Sequence, residues 1–356
     1  MKAFWLIPLF AVGCAAWAAE TTRLKADERV VFYPSLGQRV NGGREWRIEV
    51  RGCVFEPAKR GLFVGTLREA LELKNVELSA DEEGVFNERA RLFLVDNERG
   101  KRIFIRAGGQ VFAVGRSKAD GTFAGEFRLP GDEVRRLRGA PANDGFLRFS
   151  VELPPGDSRR FAGEALLLDK TGLSVISDID DTIKITEVRD RRATLRNTFL
   201  REFRPVPDMA AFYQAMARSN DAAFHYVSAS PWPLYEPLAA FVHSNGFPAG
   251  TFVLKDFRWK NRSALNLLTD PEKYKPAVIE PLLKRFPNRR FILVGDSGER
   301  DPEIYAALAR KFPRQIERIY IRDVTGESAG APRYASTFAS LPPARWKIFH
   351  DPAELR

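Results

Sequence analysis

Aspartate gathers in two short stretches of this 356-residue chain: Asp178-Ile179-Asp180-Asp181-Thr182, and Asp296 with Asp301 behind it. Each stretch follows an apolar run, Leu173 to Ile176 and Phe291 to Val294, and a third run, Ala223 to Val227, is closed by Ser228. One aspartate at a strand end is commonly a cap for the next turn or helix. Asp178, Asp180, Asp181, Asp296 and Asp301 together resist that reading, because carboxylates sharing one crevice repel one another unless a cation sits among them. A hard divalent ion with oxygen ligands is the simplest such cation. The chain has only three histidines (His225, His243, His350) and two cysteines (Cys14, Cys53), too few for a zinc cluster or a disulfide framework. Chemistry therefore falls to carboxylates, hydroxyls and lysines. No Gly-x-x-x-x-Gly-Lys string occurs, which excludes a P-loop nucleotide site.

For these residues to meet, the three runs must lie side by side. Their lack of alternation predicts strands buried on both faces, as does Arg318 to Ile321. Helix-like stretches lie between them at Asp208 to Arg218, Leu234 to Asn245, Pro276 to Phe286 and Pro302 to Phe312. Such β/α alternation predicts a parallel sheet with helices on both sides, and open sheets of this kind bind ligands beyond the carboxyl ends of their strands. Before Pro154-Pro155-Gly156 the pattern differs. Short runs of period two (Val30 to Phe32, Trp46 to Val50, Leu92 to Val95, Arg102 to Ile105, Val111 to Val114, Phe123 to Leu129, Phe146 to Leu153) predict a β-sandwich, with one helix at Thr66 to Leu73. The expected organisation is a leader over 1–19, a β-sandwich-like domain over 20–168 and an α/β domain over 169–356.

The leader reads as an export signal: Lys2, an apolar run from Phe4 to Val12 too short to span a bilayer, and Ala16-Trp17-Ala18 as a cleavage site near Ala18. Ala11-Val12-Gly13-Cys14 is the rival, a lipoprotein-type box that would put lipid on Cys14. Either way the expectation is an exported, periplasmic protein.

In order along the chain, Asp178-Ile-Asp-Asp-Thr, a strand ending in Ser228, Lys275 opening a helix, and Gly295-Asp-Ser-Gly-Glu-Arg-Asp301 resemble the four motifs of the haloacid dehalogenase superfamily. The longer strings Asp178-Ile-Asp-Asp-Thr-Ile-Lys184, Tyr226-Val-Ser-Ala-Ser-Pro-Trp232 and Gly295-Asp-Ser-Gly-Glu-Arg-Asp-Pro-Glu-Ile-Tyr305 are similar to the phosphatidate phosphatase catalytic-domain family named from a fungal actin-patch protein. The resemblance implies a haloacid dehalogenase-like Rossmannoid sheet and hydrolysis of a phosphate monoester through an aspartyl-phosphate.

It also implies roles, each with a physical reason. Asp178 would attack phosphorus, splitting one hard displacement into two easier ones. Asp180, two residues on and projecting to the same side, would protonate the leaving oxygen and then activate water. Thr182 would pin the loop, and Asp181, pointing away, reads as a structural cap. Ser228, or Ser230 in competition with it, would donate to a phosphoryl oxygen. A lysine should neutralise the phosphoryl group and the nucleophile; Lys255, Lys260, Lys273 and Lys275 compete, and Lys275 fits best, followed at i+4 by Ile279, although Pro281 would kink its helix. Asp178, Asp180, Asp296 and Asp301 are the candidate metal ligands, Asp301 either as ligand or as holder of one, and magnesium fits such a set.

The segment from Thr182 to Phe224 carries Arg189, Arg191, Arg192, Arg196, Arg201 and Arg204, which suit an anionic headgroup or membrane, or a solvated face balanced by Glu187, Asp190 and Glu202. Lys255 to Lys260 interleaves bases with Phe257 and Trp259. His225 reads as a core histidine and Cys53 as an inert thiol. The expectation is thus a magnesium-dependent phosphatase acting on phosphatidate or a related phospholipid, with possible peripheral membrane contact and no nucleic acid. The alternatives are a soluble phosphate ester as substrate, or a non-catalytic exported protein binding anionic lipid or nucleic acid.

Overall fold

The computed structural model describes residues 20–57, 64–71, 73, 75–138, 145–256 and 271–355. The expected leader, Cys14, and the Phe257, Arg258, Trp259 and Lys260 segment lie outside them. Among the described residues, no helix is long and apolar enough to cross a membrane.

The amino-terminal half is β-rich, as its alternation requires. Its strands are β1 (Arg29–Tyr33), β2 (Ser35–Val40), β3 (Glu45–Pro57), β4 (Val95–Asn97), β5 (Arg102–Ala107), β6 (Gln110–Arg116), β7 (Thr122–Pro130), β8 (Phe146–Val151) and β9 (Ala162–Leu168). Hydrogen bonding joins them into one nine-stranded sheet, mostly antiparallel, ordered β1-β3-β2-β9-β8-β5-β6, with β4 and β7 also on β3 and a parallel β2–β9 pair. The sheet folds over on its own apolar face. Phe32 of β1 meets Phe149 of β8 edge to face at 5.2 Å, and Phe127 of β7 meets the same ring at 6.0 Å.

Among the described residues three α-helices interrupt this half: α1 (Val64–Ala70), α2 (Ala80–Phe93) and α3 (Gly131–Arg138). The strand expected at Leu92 to Val95 is instead the end of α2, followed by the short β4. A capping box starts α2, with Ser79 Oγ accepting from Glu82 N and the Glu82 carboxylate accepting from Ser79 N.

In the carboxyl-terminal half β10 (Leu173–Ser177), β11 (Ala223–Pro231), β12 (Gly250–Lys255), β13 (Arg290–Asp296), β14 (Ile316–Arg322) and β15 (Trp346–Phe349) form a six-stranded sheet, β12-β11-β10-β13-β14-β15. Every pairing in it is parallel. The chain runs outward from β10 in both directions, so the strand order reverses there and the carboxyl ends of β10, β11 and β13 open onto one crevice. The helices are α4 (Arg191–Phe199), α5 (Met209–Asn220), α6 (Tyr235–Ser244), α7 (Pro271–Arg285), α8 (Asp301–Lys311) and α9 (Pro332–Phe338). On one face of the sheet, residues of α4, α5 and α6 share a core with Val175, Tyr226 and Val294; on the other, α7, α8 and α9 pack against Ile176, Val227 and Leu293.

The two cores do not respect the division at residue 168. Leu67 and Leu71 from the α1 region and Phe86, Ala90 and Phe93 of α2 are buried in the same cluster as Leu195, Phe199 and Tyr213. Phe146, Leu166 and Leu168 join the other cluster, beside Leu283 and Phe291. The β-rich half thus completes both cores of the parallel sheet, while its own core, around Phe32, Ile48 and Phe149, is built from its own residues.

Candidate active site

At the carboxyl end of β10 the backbone leaves the sheet in a tight loop that begins with Asp178, whose N–H is still bonded to Val294 O at 2.9 Å. The turn is held by Asp181. Its backbone is left-handed (φ 54°), and its carboxylate accepts from the N–H groups of Thr186 (2.8 Å), Glu187 (2.8 Å) and Val188 (2.7 Å). This is the structural cap read from its spacing. Arg322 of β14 donates to the Asp181 carbonyl at 2.7 Å, tying the loop to a neighbouring strand.

Asp178 is buried. One of its oxygens accepts from Thr182 Oγ1 at 3.0 Å and the other lies 2.9 Å from Lys275 Nζ. Lys275 comes from α7, which continues through both Pro276 and Pro281 rather than ending at either. Its ammonium also lies 2.5 Å from Asp301 Oδ1 and 3.2 Å from Glu299 Oε2. Of the four competing lysines, Lys275 is the one placed against Asp178; Lys255 ends β12, Lys273 is exposed, and Lys260 lies outside the described residues.

Asp296 ends β13. Its Oδ1 accepts from Gly298 N at 2.6 Å and Glu299 N at 3.3 Å, while no donor reaches its buried Oδ2. Asp301 opens α8 and turns back so that its Oδ2 lies 3.4 Å from Asp296 N. Gly295 is what permits this. A Cβ there would stand 2.2 Å from Asp301 Oδ2 and 2.7 Å from the Tyr305 ring.

Asp178, Asp296 and Asp301, all buried, each offer a carboxylate oxygen within 4.8 Å of the others. Burial, with repulsion from Asp301, Asp296 and Glu299, pushes the Asp178 carboxyl well above the usual range, against the pull of Lys275. Burial and Asp301 do the same to Asp296. Burial would lower the Lys275 ammonium, but Asp178, Asp301 and Glu299 outweigh it and hold its pKa well above normal. One ammonium among four carboxylates leaves a deficit of positive charge, and the unpartnered Asp296 oxygen is where a cation would be held. The donor set, all hard oxygen, fits magnesium.

Asp180 does not join this group, a correction to its expected place among the metal ligands. Its carboxylate is fully engaged elsewhere: Oδ1 with Lys184 Nζ (2.8 Å) and Thr186 Oγ1 (2.8 Å), Oδ2 with Ser228 Oγ (2.8 Å) and Ser230 Oγ (3.0 Å). Burial alone would raise its pKa; Lys184 and the hydroxyls of Ser228 and Thr186 overcome that and bring it down to about 2. Ser228 and Ser230, alternatives in the sequence, thus bind the same oxygen. Lys184, Thr186 and Glu299 were not among the candidates. Lys184 follows Asp180 by four residues inside the quoted motif, a spacing that could have flagged it. His225 is a core histidine, bonded to Thr251 (2.8 Å) and Ser174 (3.2 Å) and lowered by burial to about 3.

A protein-family model described as "Phosphatidate phosphatase APP1, catalytic domain" matches residues 173–323, which run from the start of β10 to just past β14 and include every site residue named above. Over 166 residues the chain is 38% identical to "Phosphatidate phosphatase APP1" of Saccharomyces cerevisiae, covering 46% of this chain and 28% of that protein. Over 189 residues it is 31% identical to an uncharacterized protein of Schizosaccharomyces pombe, covering 52% of this chain and 31% of that one. The chain therefore spans under a third of the length of these curated relatives.

Proposed function

We propose that this protein is an exported phosphatase of haloacid dehalogenase type that hydrolyses the phosphate monoester of phosphatidate or a related phospholipid, with magnesium held by Asp178, Asp296 and Asp301. The observation that carries the reading is the buried Asp178 carboxylate, aimed by Thr182 and Lys275 beside two further carboxylates at a strand-order reversal. The family match adds the substrate class.

Asp178 attacks phosphorus as the bond to the ester oxygen breaks; that oxygen takes a proton from Asp180 and leaves as the alcohol. Water then attacks the aspartyl-phosphate, giving its proton to Asp180, and phosphate leaves Asp178. Bound magnesium would supply charge neutralisation on the phosphoryl oxygens. In the free enzyme Asp180 is ionised, the form suited to the second step. A phosphoryl oxygen arriving at Ser228 and Ser230 would take the donation those hydroxyls now give Asp180, and a carboxylate so deprived binds a proton more readily. Lys275 pulls the Asp178 carboxyl toward its ionised form, against the burial and the neighbouring carboxylates that raise it.

The basic segment of α4 and the loop before it supports an anionic-membrane substrate. Arg189, Arg191 and Arg192 are exposed beside the loop carrying Asp178 to Val188. The test is phosphate release by purified protein from phosphatidate vesicles, from a water-soluble phosphatidate and from 4-nitrophenyl phosphate, with and without magnesium. Magnesium-dependent release that is strongest on phosphatidate supports the reading. Release only from the soluble aryl ester would shift the substrate class.

A further inference from the structure

A lysine with 1% of its side chain exposed is an expensive way to fill space, since hydrocarbon of the same length packs there without desolvating a charge. Lys184 is such a residue. The turn held by Asp181 brings it back against Asp180: Lys184 N donates to Ile179 O at 3.0 Å and Asp181 N to Lys184 O at 2.7 Å. Its ammonium meets Asp180 Oδ1 at 2.8 Å and Thr186 Oγ1 at 2.5 Å, and lies 4.8 Å from the centre of the Phe203 ring. Phe203 also carries the Arg89 guanidinium of α2 at 3.9 Å, so the amino-terminal half bears on the same aromatic. Asp178, two residues before Asp180, turns to Lys275 and the metal-type group, whereas Asp180 turns to Ser228 and Ser230. The side-chain contacts of the two carboxylates, at opposite sides of the loop, are what hold them apart.

We infer that Lys184, braced by Thr186 and Phe203, is a positioning residue that aims the Asp180 carboxylate toward Ser228 and Ser230 and away from Asp178, Asp296 and Asp301. It acts only through Asp180, and the inference rests on reading Asp180 as the proton carrier of the proposed phosphatase. Removing the ammonium frees that carboxylate to leave the leaving-group side of the crevice.

The experiment is a double-mutant cycle of Lys184→Met and Asp180→Asn, followed by magnesium-dependent phosphate release from water-soluble phosphatidate and from 4-nitrophenyl phosphate. Lys184→Met should lower kcat on the alkyl ester by on the order of 10²-fold, with KM little moved and a much smaller loss on the activated aryl ester. In the Asp180→Asn background it should cost nothing further. Thr186→Val, which removes one hydroxyl without changing shape, should give the same pattern at smaller amplitude and serves if Lys184→Met fails to fold. Equal losses on the two esters, or losses additive with Asp180→Asn, would overturn the inference and leave Lys184 a structural prop. If the wild type releases no phosphate from either ester, the phosphatase reading falls by itself. A crystal structure of Lys184→Met or Thr186→Val then decides the positioning separately: an Asp180 carboxylate that has left Ser228 supports it, and one still bonded there overturns it.

Discussion

Lys275 Nζ lies 2.9 Å from Asp178 Oδ1, joining the middle strand of the parallel sheet to a helix that packs on its far side. Both groups are buried. Removing one partner of such a pair strands the other, commonly at about 3–5 kcal/mol. Lys275→Met should therefore both lower the urea midpoint and reduce phosphate release by on the order of 10²-fold or more. A variant as active and as stable as the wild type would remove Lys275 from the site.

The raised carboxyls of Asp178 and Asp296 set a sign for pH. In the folded protein without a cation they bind protons that the unfolded chain has released above the ordinary carboxylate range. Their contribution to stability is then present at acid pH and is lost as pH rises beyond that range. A divalent cation binds the ionised form, so magnesium should raise Tm by a few degrees at neutral pH and much less near pH 4. Asp296→Asn should abolish the magnesium response. A Tm indifferent to magnesium at pH 7 would count against a metal centre.

Gly295→Ala places a methyl group 2.2 Å from Asp301 Oδ2, 2.8 Å from Asp301 Cβ and 2.7 Å from the buried Tyr305 ring. Overpacking of this kind costs about 1–3 kcal/mol. The expected outcome is a folded protein with lower Tm, a weakened magnesium response and strongly reduced activity. Calorimetry and phosphate release check it, and wild-type values in both would show that Asp301 need not sit where it does.

Phe86 belongs by sequence to the β-rich half and by packing to the carboxyl-terminal core, where it is fully buried. Phe86→Ala should cost about 3–5 kcal/mol and move the unfolding of both halves together. Two separable transitions, with the carboxyl-terminal one unchanged, would restore the view of two independent cores.

The strands that carry the site were legible because burial on both faces leaves an unmistakable run, as at Leu173 to Ile176 and Phe291 to Val294. Their carboxyl ends then fixed which polar residues would meet. Less legible was α2, where Leu92 to Val95 imitates a strand although Ser79 and Glu82 carry a readable capping box. Nor does sequence local to α2 say that Phe86 and Phe93 are buried against Phe199 rather than against the sheet beside them. Period two put Asp178 and Asp180 on one side, and it could not separate their side chains. That separation is made by Lys184, Thr186, Ser228 and Ser230, which converge from different elements. Lys184 lies inside the first aspartate motif, far in sequence from Lys255, Lys260, Lys273 and Lys275.

Arg189, Arg191 and Arg192 are exposed, and each near an anionic bilayer would contribute up to about 1 kcal/mol that salt screens. Release from phosphatidate vesicles should fall steeply as salt rises, and the triple change to Gln should flatten that fall. Release from a water-soluble phosphatidate should change little in either protein. Parallel salt profiles for the two substrates would remove the membrane from the reading.

Asp178→Asn is the most direct test of the chemistry, because the amide is nearly the same shape but cannot serve as the nucleophile. Purified wild type and variant, checked for the same far-ultraviolet spectrum, are assayed for inorganic phosphate released from phosphatidate in the presence of magnesium. The wild type should turn over, and the variant should fall by at least about 10³-fold. Phosphate released by the variant at a rate near that of the wild type, or none released by the wild type from any ester offered, would contradict catalysis through Asp178.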